Sequence, residues 1–128
     1  MGMESRVDNA LTGRIISAAI EVHRHLGPGL LESAYRTCLM DELAAAGMRV
    51  RHEVALPIIY KGRRIEGAYR ADLVVDDAVL VELKAVEHIL PIHESQTLTY
   101  LRLGHLPVGL LLNFNVARLK DGIHRFVA

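Results

Sequence analysis

The chain has no tryptophan, one cysteine and four prolines among its 128 residues. The lone Cys38 excludes an internal disulfide and suits a reducing, cytoplasmic compartment. Its helical, apolar neighbours make it a small core side chain. No uninterrupted apolar run approaches the ~18 residues needed to cross a bilayer. The opening MGMESRVDNA has no apolar stretch behind a basic start, so no signal peptide is expected. Phe and Tyr supply the whole aromatic content of 5%, too sparse for an extended base-stacking platform. His23 and His25 stand two apart with no cysteine pair, which leaves a structural zinc site without support. No repeat, linker or low-complexity segment interrupts the chain, and its length fits one domain spanning residues 1–128.

Net charge is also lacking: it is zero, so no global field draws the molecule toward nucleic acid. The distribution is uneven, however. Between positions 49 and 70, six cations (Arg49, Arg51, Lys61, Arg63, Arg64, Arg70) face only Glu53 and Glu66. Such a segment is either a solvated hairpin edge protected by its charges or a rim that contacts phosphates.

What is present is a clear order of elements. Val7, Leu11, Ile15, Ala18, Val22 and Leu26 recur at three- and four-residue steps, predicting an amphipathic helix over about 8–26. Gly27-Pro28-Gly29 ends it. A second helix is expected from Leu30 to Ala46, with Leu31, Ala34, Cys38 and Leu39 inward and Gly47 as its stop. A hairpin follows, Val50–Ile59 and Ile65–Val75, turning at Tyr60-Lys61-Gly62-Arg63. Pro57 places an unpaired stretch in its first strand or puts that strand on an edge. Val79–Val86 reads as a third strand and Pro91–Gly104 as a third helix. Val108–Leu112 reads as a strand covered on both faces, and Ile123–Val127 as a short last strand after a turn at Lys120-Asp121-Gly122. The order α-α-β-β-β-α-β-β implies an α/β (α+β) domain with a mixed sheet and flanking helices.

The segment RADLVVDDAVLVELKAV holds the candidate chemistry. If its loop is Asp76-Asp77-Ala78, Val75 faces Val79, Leu73 faces Val81, and Asp72 lies opposite Glu82. Lys84 then shares their face, while Ala71, Leu73, Val75, Val79, Val81, Leu83 and Ala85 form a wholly apolar one. Two opposed, half-buried carboxylates repel and call for a cation. Lys84 supplies part of the compensation, and a divalent metal can supply more. Asp72, Glu82 and the Leu83 carbonyl offer hard oxygens suited to Mg²⁺ or Mn²⁺. A lysine there can position a nucleophile and offset developing charge. The same residues could instead form a cross-strand salt-bridge cluster. Glu32 stands near the start of the second helix, where the helix dipole and Arg36 at i+4 can account for it. Gln96 and Tyr100 share a face of the third helix, with His93 one turn earlier.

The segment Gly29-Leu-Leu-Glu32-Ser-Ala-Tyr35 resembles the signature of the GxxExxY proteins, a group within the PD-(D/E)XK nuclease superfamily. The resemblance extends through GPGLLESAY, PIIYKG, YRADLVV, VELKAV, SQTLTYLR and LPVGLLLNF, in order. It implies a restriction-endonuclease-like fold and phosphodiester hydrolysis by metal-activated water. Position by position, it makes Asp72 and Glu82 metal-binding acids, Lys84 the motif lysine and Glu32 a further metal contact. Gln96 and Tyr100 resemble the QxxxY helix of RecB-like members that meets the substrate strand; Arg70 is counted with them as a substrate contact. Ala71 departs from the proline of the motif name. The implied partner is nucleic acid, DNA ahead of RNA. Two other readings stay open: a non-catalytic module that keeps the fold and binds nucleic acid or protein, and an assembly protein acting through a homodimer interface.

Overall fold

A computed structural model describes residues 2–128, with side chains from Asn9 onward. Helix α1 spans Gly2–Leu26 and α2 spans Glu32–Ala45. Strands β1 (Val50–Tyr60), β2 (Arg63–Val75) and β3 (Val79–Lys84) follow, then α3 (Pro91–Gly104), β4 (Val108–Asn113) and β5 (Ile123–Val127). A short 3-10 turn at Leu119–Gly122 precedes β5. The five strands lie in sequence order, and only β3 and β4 pair in parallel, so the sheet is mixed as expected.

Apolar spacing places helices on both faces. Leu11, Ile15, Ala19 and Val22 of α1 join Tyr35, Leu39 and Leu43 of α2 against Leu73, Val75, Val79, Val81 and Leu83. On the other face, Tyr100 and Leu101 of α3 cover Leu56, Val74 and Leu80. β4 is buried at every position, the expected outcome for a run lying between two helical layers.

Three expectations shift in detail. Leu31 is exposed rather than inward, because it precedes α2 in extended conformation, outside the helical period; Tyr35 fills the interior instead. β3 stops at Lys84, since Asn113 rather than a neighbouring strand takes up Val86: its Oδ1 accepts the Val86 N–H and its Nδ2 donates to the Val86 carbonyl. Cys38 is half-buried against the α1–α2 core. The side chain of Val7, proposed as inward, lies outside the described residues.

The hairpin register follows the sequence closely. Lys61 and Gly62 both take positive φ, giving the turn whose twist suits a two-residue hairpin. β1 is an edge strand, and the pairing shifts between Leu56↔Tyr69 and Ile58↔Ile65. Pro57 thus marks both an edge and an irregularity. The β2–β3 loop is Asp76-Asp77-Ala78, with Val75↔Val79 and Leu73↔Val81. Both aspartates adopt left-handed backbone, which their short polar side chains tolerate. Asp76 accepts the Arg49 N–H, and Asp77 pairs with Arg49 and Arg51 at 3.3 and 3.1 Å.

Candidate active site

β2 and β3 stay paired for only three residues each, up to Leu73↔Val81. Beyond that point side chains replace the ladder. The Asp72 N–H donates to Glu82 Oε1 (2.8 Å), and the Leu83 N–H donates to Asp72 Oδ2 (2.9 Å). Each carboxylate thereby closes the fork where the strands part. On the opposite side of β2, pairing runs through His52↔Leu73 and Val54↔Ala71 but skips Glu53 and Asp72, and Glu53 takes a φ of 50°.

The fork corrects one expectation. Ala71 and Val74 both belong to the α3 side of the sheet, three residues apart, which regular alternation forbids. The strand therefore changes phase at Asp72, and Ala71 leaves the apolar face on which it was placed. The Asp72 carboxylate lies in the gap between strands rather than on a flat charged face, so helices of both layers reach it.

From α2, the Arg36 guanidinium comes to 3.7 Å of Asp72 Oδ1. Arg36 thus turns to the strand acid instead of to Glu32, its i+4 neighbour. Glu32 stands at the first helical residue, half-buried, near enough to repel Glu82. Its segment is held by Tyr35, whose hydroxyl donates to the Gly27 carbonyl (2.5 Å) and accepts the Leu30 N–H (3.1 Å). Tyr35 also stacks on Phe114 at 4.6 Å between centroids. Gly29 has a φ of 98°, a conformation most side chains resist. The Gly29, Glu32 and Tyr35 spacing thus makes local sense: a left-handed turn, a carboxylate at a helix start, and a tyrosine that locks both.

From α3, Tyr100 is buried beside the acids, with half-buried Gln96 one turn earlier. His93 is occupied: its Nδ1 accepts the Leu90 N–H and closes the start of the helix. No pattern in the sequence marks Tyr69, yet its ring lies 5.9 Å from that of Tyr100. A pattern of alternation could not reveal it, because the phase change at Asp72 is what brings it to the α3 side. Arg70 is exposed, two residues from Asp72.

The electrostatics are those of a buried glutamate beside two further acids. Glu82 is 5% exposed. Burial above all, then the Asp72 and Glu32 charges, push its carboxyl from 4.5 up to about 8, against the downward pull of the Asp72 N–H and Lys84. The Tyr100 hydroxyl is also raised, by burial first and then by Glu82, Asp72 and Tyr69. Among the described residues, no three His, Cys, Asp or Glu side chains form a ready cluster for an ion. The chemistry fits a hard dication nonetheless: two carboxylates offer hard oxygens in a place where added positive charge relieves the buried Glu82. His23, by contrast, is buried with Nε2 within 3.1 Å of the Phe114 and 2.9 Å of the Val116 carbonyls, a structural role.

No helix among the described residues is long and apolar enough to cross a membrane. No curated protein and no solved structure matches the chain. A family model does match, over residues 9–126, which takes in all of α2 to β4, with the fork, and most of α1 and β5. The restriction-endonuclease-like arrangement of a mixed sheet between helices agrees with it, and the chain belongs to the PD-(D/E)XK nuclease superfamily.

Proposed function

We propose that this protein is a divalent-metal-dependent nuclease that hydrolyses phosphodiester bonds in nucleic acid, DNA ahead of RNA. The observation that carries the reading is the pair of carboxylates at the strand fork, where Glu82 accepts the Asp72 N–H and Asp72 accepts the Leu83 N–H, with Lys84 two residues beyond Glu82. Asp72, Glu82 and the Leu83 carbonyl would hold Mg²⁺ or Mn²⁺, with Glu32 as a further contact. When bound, such an ion polarises a phosphoryl oxygen and makes water a stronger nucleophile at neutral pH. Lys84 orients the attacking water and offsets charge gathering on the phosphate. Gln96 and Tyr100 position the strand from α3, and Arg70 meets a flanking phosphate.

The test is cleavage of single-stranded, duplex, branched and RNA substrates with Mg²⁺ or Mn²⁺. Asp72→Ala and Lys84→Ala are each expected to lower turnover by about a hundredfold or more. Absence of cleavage by wild type on every substrate would count against the proposal. Calorimetric titration of Mn²⁺ checks the site without any substrate: wild type should give a saturable heat and Glu82→Ala none.

A second reading is favoured by one observation, the Arg36 guanidinium already beside Asp72. A site that carries its own cation can bind nucleic acid without cleaving it. Salt-dependent binding with no turnover distinguishes that case.

A further inference from the structure

Beyond Asp72 the β1–β2 hairpin leaves the sheet. β3 pairs with β2 only from Leu73 onward, so the edge of β2 from Arg63 to Ala71 has no strand beside it. Every residue from Arg63 to Arg70 is exposed except Ile65. The register shift at Pro57, where three residues of β2 (Glu66, Gly67, Ala68) oppose one of β1, bends this ribbon. Its charge is not absorbed internally. Arg49 and Arg51 are taken by Asp77 and Arg64 by Glu66, but Lys61, Arg63 and Arg70 have no acidic partner among the described residues. Lys61 lies over the Tyr60 ring, 5.5 Å from its centroid. At the ribbon's base, Tyr69 keeps 38% of its surface open while it leans on Tyr100 beside the acids.

We infer that this ribbon is the track for a single strand of nucleic acid leading away from the Asp72–Glu82 fork. Tyr69 stacks on a base near the fork, and Arg63 and Lys61 pair with phosphates further along. The inference rests on the nucleic-acid reading above and adds the path and the strandedness. From Asp72 to Arg63 the ribbon reaches at most about 30 Å, room for several nucleotides. One exposed aromatic at the base, with cations spaced beyond it, suits unpaired bases whose rings are free to stack. The ribbon carries three cations without acidic partners among the described residues, fewer than the roughly 6–10 phosphate contacts of a duplex footprint.

The experiment is fluorescence anisotropy of a labelled oligothymidylate across a salt series, with Ca²⁺ in place of Mg²⁺. The variants are Lys61→Ala/Arg63→Ala, Tyr69→Ala and Tyr69→Phe, all at exposed positions, with thermal melts to confirm folding. The double variant should lower the slope of log affinity against log salt by about 1.4, two phosphate contacts on a single strand. Tyr69→Ala should weaken binding about tenfold with the slope unchanged, and Tyr69→Phe should retain wild-type affinity. Equal affinities and slopes for wild type and all variants would overturn the track while leaving nucleic-acid binding intact. So would tighter binding of the matching duplex. Wild type that binds no oligonucleotide at low salt would remove the nucleic-acid reading itself, and the track with it.

Discussion

Glu82 is the residue on which pH acts. Its rise from 4.5 to about 8 corresponds to roughly 5 kcal/mol between the protonated and charged forms. The sign follows from where the proton sits. Below about pH 4.5 the carboxyl is protonated in folded and unfolded chains alike, and its contribution to stability is fully present. As pH rises through about 8, the folded protein must release a proton that the unfolded chain gave up earlier, and that stability is lost. Metal-free wild type should therefore lose stability relative to Glu82→Gln between pH 5 and pH 9, as read by urea unfolding in EDTA. A pH-independent gap between the two would show that Glu82 is not held in this way. Metal works in the opposite direction: ions need the charged carboxylate, so Mn²⁺ bound near pH 7 should release protons, seen as a heat that varies with buffer.

At the scale of elements, the turn into α2 and the turn into β5 depend on single contacts. Tyr35→Phe removes the hydroxyl that joins the Gly27 carbonyl to the Leu30 N–H. The expected cost is about 1–3 kcal/mol in urea unfolding, since both groups lose a partner. Activity should fall further than stability accounts for, because Glu32 begins the helix that this loop aims. Gly122 stands where a Cβ would run into the Asn113 carbonyl. Gly122→Ala must move backbone on β4 or on the 3-10 turn, and a loss of roughly 2 kcal/mol or more is expected from the same measurement. The helices and strands themselves were legible in the chain, because apolar spacing and the turn residues Gly27, Gly47, Gly62 and Gly122 bound each one. Their contacts were less so. Arg36 looked like a partner for Glu32 by helical spacing, and only the packing of α2 on the sheet turned it to Asp72.

For the whole molecule, zero net charge and an isoelectric point near 7.1 mean weak mutual repulsion in neutral solution. Solubility measured by precipitant titration should pass through a minimum near pH 7 and improve on either side. The charge that does matter is sorted within the fold. Acids gather in the fork, and Lys61, Arg63 and Arg70 stand without acidic partners among the described residues on the ribbon beyond it, so the salt dependence of binding should report on the ribbon rather than on net charge.

The sequence by itself determined the element order, the three-residue loop and the Leu73↔Val81 register next to which Asp72 and Glu82 stand. Those features depend on local periodicity and on a register that one buried face enforces. Tertiary structure alone decided that β2 changes phase at Asp72, that Ala71 and Tyr69 fall on the α3 side, and that Arg36 reaches the acid. The phase change arises where β3 parts from β2 and the carboxylates take over main-chain hydrogen bonds. No periodic pattern encodes that exchange, because it exists only once strands and helices of both layers are in place.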